Sequence, residues 1–197
     1  MAIEIRKVRT LSEARAVFRL RYEVYIEELG RTQHHADHAA RMLEEPLDAC
    51  ANVFCAYDGA RVVGTVRSNY ARCSPLAEYA ALYEMQRCGP AHPRSTSVTT
   101  KLVIAPDYRC SSLAYRLAVA TYYTGLCDGV LFDFVDVYPP RVPFFERLGY
   151  RVHLPRAIHP EYGAVIVMRL GMRDTEHLAA VKSPFLRVLS RAPRVAA

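Results

Sequence analysis

The chain has 197 residues and a formal net charge of +6, with 51% hydrophobic and 23% charged residues, the proportions of a soluble globular domain. No apolar run approaches the ~18 residues a bilayer-spanning helix needs. The opening MAIEIRKVRT alternates charge with apolarity instead of building a signal-peptide core, so a cytoplasmic protein without an integral membrane segment is expected.

The basic residues are spread along the chain with no dense block and no aromatic–basic module, which points to an acidic partner rather than nucleic acid. In chain order, IEIRKV alternates as a half-exposed strand. Ala14, Val17, Leu20, Arg21 and Val24 then follow at helical spacing, with Ser12 as the candidate cap. Residues 30–46 are polar and rich in histidine. His34 and His38 stand one helical turn apart with Asp37 between them, but no Cys or Glu-x-x-His partner accompanies them, and no metal site is expected. NVFCAYDGARVVGTVRSNYA reads as a hairpin around Asp58-Gly59.

LAEYAALYEMQR is helical by composition and STSVTTKLVIAP is strand-like. Residues 111–127 form a helix with Leu113, Leu117, Ala120 and Thr121 on one face, and VLFDFVDVY alternates as a strand. RVPFFERLG is a short helix with Pro143 in its first turn and Gly149 as its stop, and YGAVIVMRL is a last strand. Six cysteines without a C-x-x-C pair read as reduced and structural. Residues 1–182 are expected to form one domain, and the segment 183–197, rich in arginine, alanine and proline, a loosely attached tail.

A strand ending in LVIAP, Arg109 three residues after the proline, a helix, a second strand and then FFERLGYR resembles the core of the GNAT acyltransferase superfamily. The resemblance implies an α/β (α+β) fold with a mixed central sheet of about seven strands flanked by helices. In that superfamily the segment matching Arg109, Cys110, Ser111, Ser112, Leu113 and Ala114 is a Q/R-x-x-G-x-G/A turn whose backbone N–H groups hold the coenzyme A pyrophosphate. The segment matching Phe144 to Tyr150, Phe145 included, closes the acyl-donor side. Arg109 and Ala114 match the pattern and Ser112 departs from it. A helix N-terminus offers free N–H donors and a positive dipole end, whereas serine denies the closest backbone approach glycine permits. A phosphopantetheine contact from acyl carrier protein is therefore favoured over a diphosphate clasp on acyl-CoA, with a plain helix cap as the alternative.

FRLRYEVYIEELGR, EEPLDACANVFCAY, GTVRSNY and LYEMQR resemble, in order and spacing, the acyl-homoserine-lactone synthases and the related long-chain N-acyl amino acid synthases. Arg21, Asp48, Arg67, Glu84 and Arg87 fall where those families carry a polar network, and Glu45 matches an acidic position. Leu43 departs from a further acidic position, with Glu44 beside it as a stand-in. RYEVYIEELGR is closer to the N-acyl amino acid synthases, which acylate an amino acid, commonly tyrosine, from acyl carrier protein.

The resemblance thus implies an N-acyltransferase with no bound cofactor, acyl-phosphopantetheine as donor and an amino acid as acceptor. Lactone synthesis or a non-catalytic acyl-carrier or lipid-binding module are the alternatives. Amide formation from a thioester needs a proton acceptor for the ammonium and a donor for the oxyanion. Glu45 ranks first as acceptor, ahead of Glu44, Asp48 and Glu84. A backbone N–H of Val103 or Ile104 is the oxyanion donor. Arg21, Arg67 and Arg87 either pair the acceptor carboxylate or neutralise the three acids.

Overall fold

The computed structural model describes residues 3–191. Strand β1 (Glu4–Lys7) leads into helix α1 (Leu11–Tyr22), which is capped by Thr10 rather than by Ser12. The Thr10 hydroxyl accepts the Glu13 N–H at 3.2 Å and the Glu13 carboxylate accepts the Thr10 N–H at 3.1 Å, so two orphan donors are satisfied reciprocally. A π turn, Glu23–Glu28, extends α1, and the His-rich stretch folds into a small antiparallel pair, β2 (Ala36–Asp37) and β3 (Met42–Leu43). After a 3-10 turn at Pro46–Cys50, β4 (Ala51–Asp58) and β5 (Arg61–Tyr70) form the expected hairpin, turning through Gly59 at φ +59°.

Helix α2 (Ala77–Leu82) is shorter than its composition suggests. Tyr83 and Met85 are both fully buried, which residues two apart on one helix cannot be on the same face, and Glu84 between them turns left-handed at φ +49°. There follow β6 (Thr96–Ile104), α3 (Leu113–Cys127), β7 (Phe132–Val137) and α4 (Val142–Leu148). As read from the sequence, α4 carries Pro143 in its first turn and stops at Gly149, φ +111°. A Cβ on Gly149 would lie 2.5 Å from Leu178 Cδ2, so the stop is also a packing requirement.

The next strand, β8 (Arg151–His159), was not foreseen: Pro155 and two register shifts interrupt its pattern, features tolerated because it is the edge of the sheet. The chain ends in β9 (Gly163–Gly171), α5 (Thr175–Ala180) and α6 (Phe185–Leu189).

The seven-stranded sheet has the order β1-β4-β5-β6-β7-β9-β8. It is mixed: β6 and β7 pair in parallel over Thr96–Val98 and Phe132–Phe134, whereas β1 with β4, β7 with β9, and β8 with β9 run antiparallel. By its contacts the chain divides into two compact units, Met1–Ser68 with Lys101–Thr121 and Asn69–Thr100 with Tyr122–Ala197.

The first unit closes around Val17, Cys55, Val63, Val66 and Leu117. Gly64 on β5 allows that packing, since a Cβ there would sit 3.0 Å from both Ile104 Cδ1 and Leu117 Cδ1. In the second unit Tyr122 stacks on Phe185 at 4.1 Å and donates its hydroxyl to the Met172 carbonyl at 2.5 Å. The tail expected to be loose from residue 183 therefore begins as a packed helix, because Phe185 is buried and anchors it; residues 192–197 lie outside the described residues. None of the six cysteines is in a disulfide, and Cys55 alone among them is buried. No helix among the described residues is long and apolar enough to cross a membrane.

Candidate active site

In the first unit α1 carries Arg21 on the same buried stripe as Val17, one turn on, so the helix that seats Val17 also takes a guanidinium out of water. Arg21 Nη1 donates to both oxygens of Asp48, at 2.9 and 2.8 Å. Asp48 belongs to the turn after Glu45, and its carboxylate also accepts the Glu45 N–H at 2.9 Å, which fixes the loop on which both acids stand. On β5, buried continuously from Val62 to Tyr70, Arg67 Nη1 reaches Glu45 Oε2 at 2.7 Å and Asp48 Oδ2 at 3.5 Å.

The fifth member is Lys101 on β6. Its Nζ lies 2.5 Å from Glu45 Oε1 and 3.3 Å from Gln33 Oε1, with the Tyr25 ring 5.0 Å away. Its backbone is left-handed at φ +55°, a strained setting for a long side chain inside a strand that the buried ion pair holds in place.

Within this group three cations, Arg21, Arg67 and Lys101, share two carboxylates, Glu45 and Asp48. Arg21 Nε and Nη2 are buried and have no hydrogen-bond partner among the described residues. Burial pushes the Glu45 carboxyl up, but Lys101 and Arg67 outweigh it and hold the group at about 2. A carboxyl so surrounded by cations is shifted away from what a general base near neutral pH needs. Burial lowers the pKa of the Lys101 ammonium, and Arg67 and Arg21 add to the shift against the pull of Glu45.

Of the residues the sequence singled out, Arg21, Glu45, Asp48 and Arg67 are brought together, and Glu44 is exposed. Glu84 and Arg87, in the second unit, form an ion pair with each other, and Lys101 supplies the third cation of the group. Lys101 was missed; its one sequence signal is a lysine set into the β-branched run STSVTTKLVIAP. Val103 is buried, and the Ile104 carbonyl accepts Arg109 Nε at 3.2 Å.

In the donor turn Arg109 makes a two-pronged fork to Glu28, at 2.5 and 2.7 Å, and Arg116 donates to the Ile3 carbonyl at 2.7 Å, so both arginines are engaged within the fold. Cys110 is left-handed at φ +59°, Ser111 caps α3 by accepting the Leu113 N–H at 3.2 Å, Ser112 is exposed, Ala114 half-buried and Leu113 buried. His38 Nδ1 bonds with the Tyr22 hydroxyl at 2.9 Å, and no three His, Cys, Asp or Glu side chains among the described residues are placed to share a metal.

The model of the family described as N-acyl amino acid synthase FeeM matches residues 16–171, most of the chain and the whole ionic group. This chain belongs to that family. It is therefore an acyltransferase of the N-acyl amino acid synthase kind.

Among solved structures it is similar to FeeM, an N-acyl amino acid synthase from uncultured soil microbes, at TM-score 0.72 and 16% identity over 91% of this chain and 98% of that one. BjaI, a CoA-dependent acyl-homoserine lactone synthase, also aligns at TM-score 0.72, with 17% identity over 93% of this chain and 91% of that one. An acetyltransferase ascribed to the GNAT family from Desulfovibrio desulfuricans aligns at 0.59, with 17% identity over 87% and 99%. At these identities the likeness is one of fold, and the fold is that of the GNAT acyltransferases. No curated protein sequence matches the chain significantly.

The second unit holds a polar site that sequence reading passed over. Asp133 on β7 is buried and accepts hydrogen bonds from Ser97, from Thr99 at 3.1 Å and from the Tyr150 hydroxyl at 2.5 Å. Burial pushes its carboxyl up to about 6 against those three donors. Phe145, expected on the donor side, packs its ring edge-on to Tyr150 at 5.4 Å.

Proposed function

We propose that the protein transfers a long-chain fatty acyl group from acyl carrier protein to the α-amine of an amino acid, with tyrosine the preferred acceptor. The observation that carries the reading is the ionic group of the first unit, in which three basic side chains share two carboxylates and Arg21 keeps two buried nitrogens without a partner among the described residues. A carboxylate is the ligand that matches such a set, since it accepts two parallel N–H bonds. Every α-amino acid brings one next to the amine to be acylated. Backbone N–H groups of Val103 or Ile104, beyond the left-handed turn of β6 at Lys101, are the proposed oxyanion donors.

The preference for acyl carrier protein rests on the net charge of +6, which suits an acidic carrier, and on Ser112 in place of the glycine a diphosphate would favour. Acyl-phosphopantetheine is then the donor, no resident cofactor takes part, and the enzyme works in the cytoplasm with its carrier.

The test is an incubation with acyl carrier protein bearing a C12 to C16 chain and equimolar tyrosine, phenylalanine, leucine and homoserine-derived acceptors, followed by mass analysis. Acyl-tyrosine is expected to dominate. A pool dominated by acyl-homoserine lactone overturns the acceptor assignment, and equal efficiency with acyl-CoA overturns the donor assignment.

A further inference from the structure

The reaction proposed above needs a group that removes a proton from the amino-acid ammonium, and the acids of the ionic group are poorly placed to do it. Both oxygens of Glu45 are engaged, one by Lys101 and the other by Arg67. The Asp48 oxygens are occupied by two bonds from Arg21 and one from the Glu45 N–H.

Lys101 differs from the other two cations in being able to give up its charge, since guanidinium stays protonated whereas a buried ammonium does not have to. Groups from five elements face it: Glu45 from the loop before the 3-10 turn, Gln33 from the His-rich segment, Tyr25 from the π turn, Arg67 from β5 and Arg21 from α1. With Lys101 neutral, two guanidinium groups balance two carboxylates in the ionic group. With Lys101 protonated, the group carries one positive charge in excess. Burial and the two guanidinium groups favour the neutral form, whereas an entering carboxylate favours the protonated one.

We propose that Lys101 is the proton acceptor that turns the incoming ammonium into an amine, in the same event in which the acceptor carboxylate settles on Arg21. The inference rests on the carboxylate reading given above. One N–H bond of the ammonium breaks and one forms at Lys101 Nζ, so the site takes up a zwitterion with no net change of charge or of proton number. The amine then attacks the thioester carbonyl, the C–N bond forms and the C–S bond breaks. The second nitrogen proton goes to the leaving sulfur, which departs as a thiol. When the N-acyl amino acid leaves as its carboxylate, Lys101 returns its proton to water.

Calorimetry on the wild-type protein tests this without disturbing the fold. Tyrosine and 3-(4-hydroxyphenyl)propionate, which has the carboxylate but no ammonium, are each titrated near pH 7.5 in two buffers of different ionisation enthalpy. The propionate is expected to draw about one proton from the buffer and tyrosine about none, because tyrosine supplies its own. Equal proton counts overturn the role of Lys101 while leaving the carboxylate reading intact. Absence of binding by both ligands overturns the carboxylate reading and this inference with it.

Kinetics supply the second arm. Lys101→Arg keeps the charge but cannot accept a proton, so its kcat is expected to fall by ~10²-fold or more with KM for tyrosine within a few-fold of wild type. Turnover near the wild-type level in Lys101→Arg overturns the proposal.

Discussion

Glu45 in the first unit and Asp133 in the second are both acids withdrawn from water, and the two regions treat them in opposite ways. Around Glu45 the neighbours are cations, and the carboxyl is held at about 2; around Asp133 they are hydroxyls from Ser97, Thr99 and Tyr150, and burial carries the carboxyl up to about 6. Hydroxyl donors soften desolvation without offsetting the charge, whereas a lysine and an arginine more than offset it. The first arrangement keeps its carboxylate charged far into the acid range, and the second holds its proton to a higher pH than an ordinary carboxyl does.

The contrast breaks most severely at Arg21. Arg21→Met leaves the Asp48 carboxylate buried without its main partner, and a loss of about 3–5 kcal/mol is expected, read as a lower urea midpoint at pH 7.

The pH dependence of stability sharpens it further. Glu45 has a lowered folded pKa, so its contribution is present above about 4.5 and is lost as pH falls toward 2, roughly 3 kcal/mol across that window. Glu45→Gln should therefore flatten the acid limb of the stability curve, beyond a uniform offset from the lost ion pairs.

Asp133 works with the opposite sign. Its folded pKa is raised, so the folded state holds the proton more tightly, and stability falls by roughly 3 kcal/mol as pH rises from about 3.8 to about 6, with no further change above. Urea midpoints taken from pH 4 to pH 6.5 should decline in the wild type relative to Asp133→Asn. Parallel curves would place the Asp133 carboxyl at its ordinary pKa and remove the contrast.

The smallest effect belongs to the pair at the surface of the first unit. Glu28→Gln weakens the fork on Arg109, and because both side chains remain about a third exposed the cost should stay under ~1 kcal/mol and shrink further in high salt.

Local signals in the chain determined a good part of this protein. The hairpin at Asp58-Gly59, the face of α3 and the Pro143-to-Gly149 limits of α4 are each set by spacings of a few residues, and each is present in the structure. Similarity in motif order also marked Arg21, Glu45, Asp48 and Arg67, but in one set with Glu84 and Arg87, which pair with each other in the second unit. Short-range signals failed where burial decided the outcome: α2 stops early so that Tyr83 and Met85 can both turn inward, β8 survives Pro155 only as an edge, and Asp133 is polar in an alternating strand yet lies inside.

They failed most at the ionic group. Lys101 bonds Gln33 across 68 positions, Arg21 bonds Asp48 across 27, and Arg109 bonds Glu28 across 81. Helical and strand periodicity reaches only a few residues along the chain, so the identity of each charge partner was settled by folding. With the partner came the sign of each pKa shift, because burial raises a carboxyl and only the cations around Glu45, not the hydroxyls around Asp133, outweigh it.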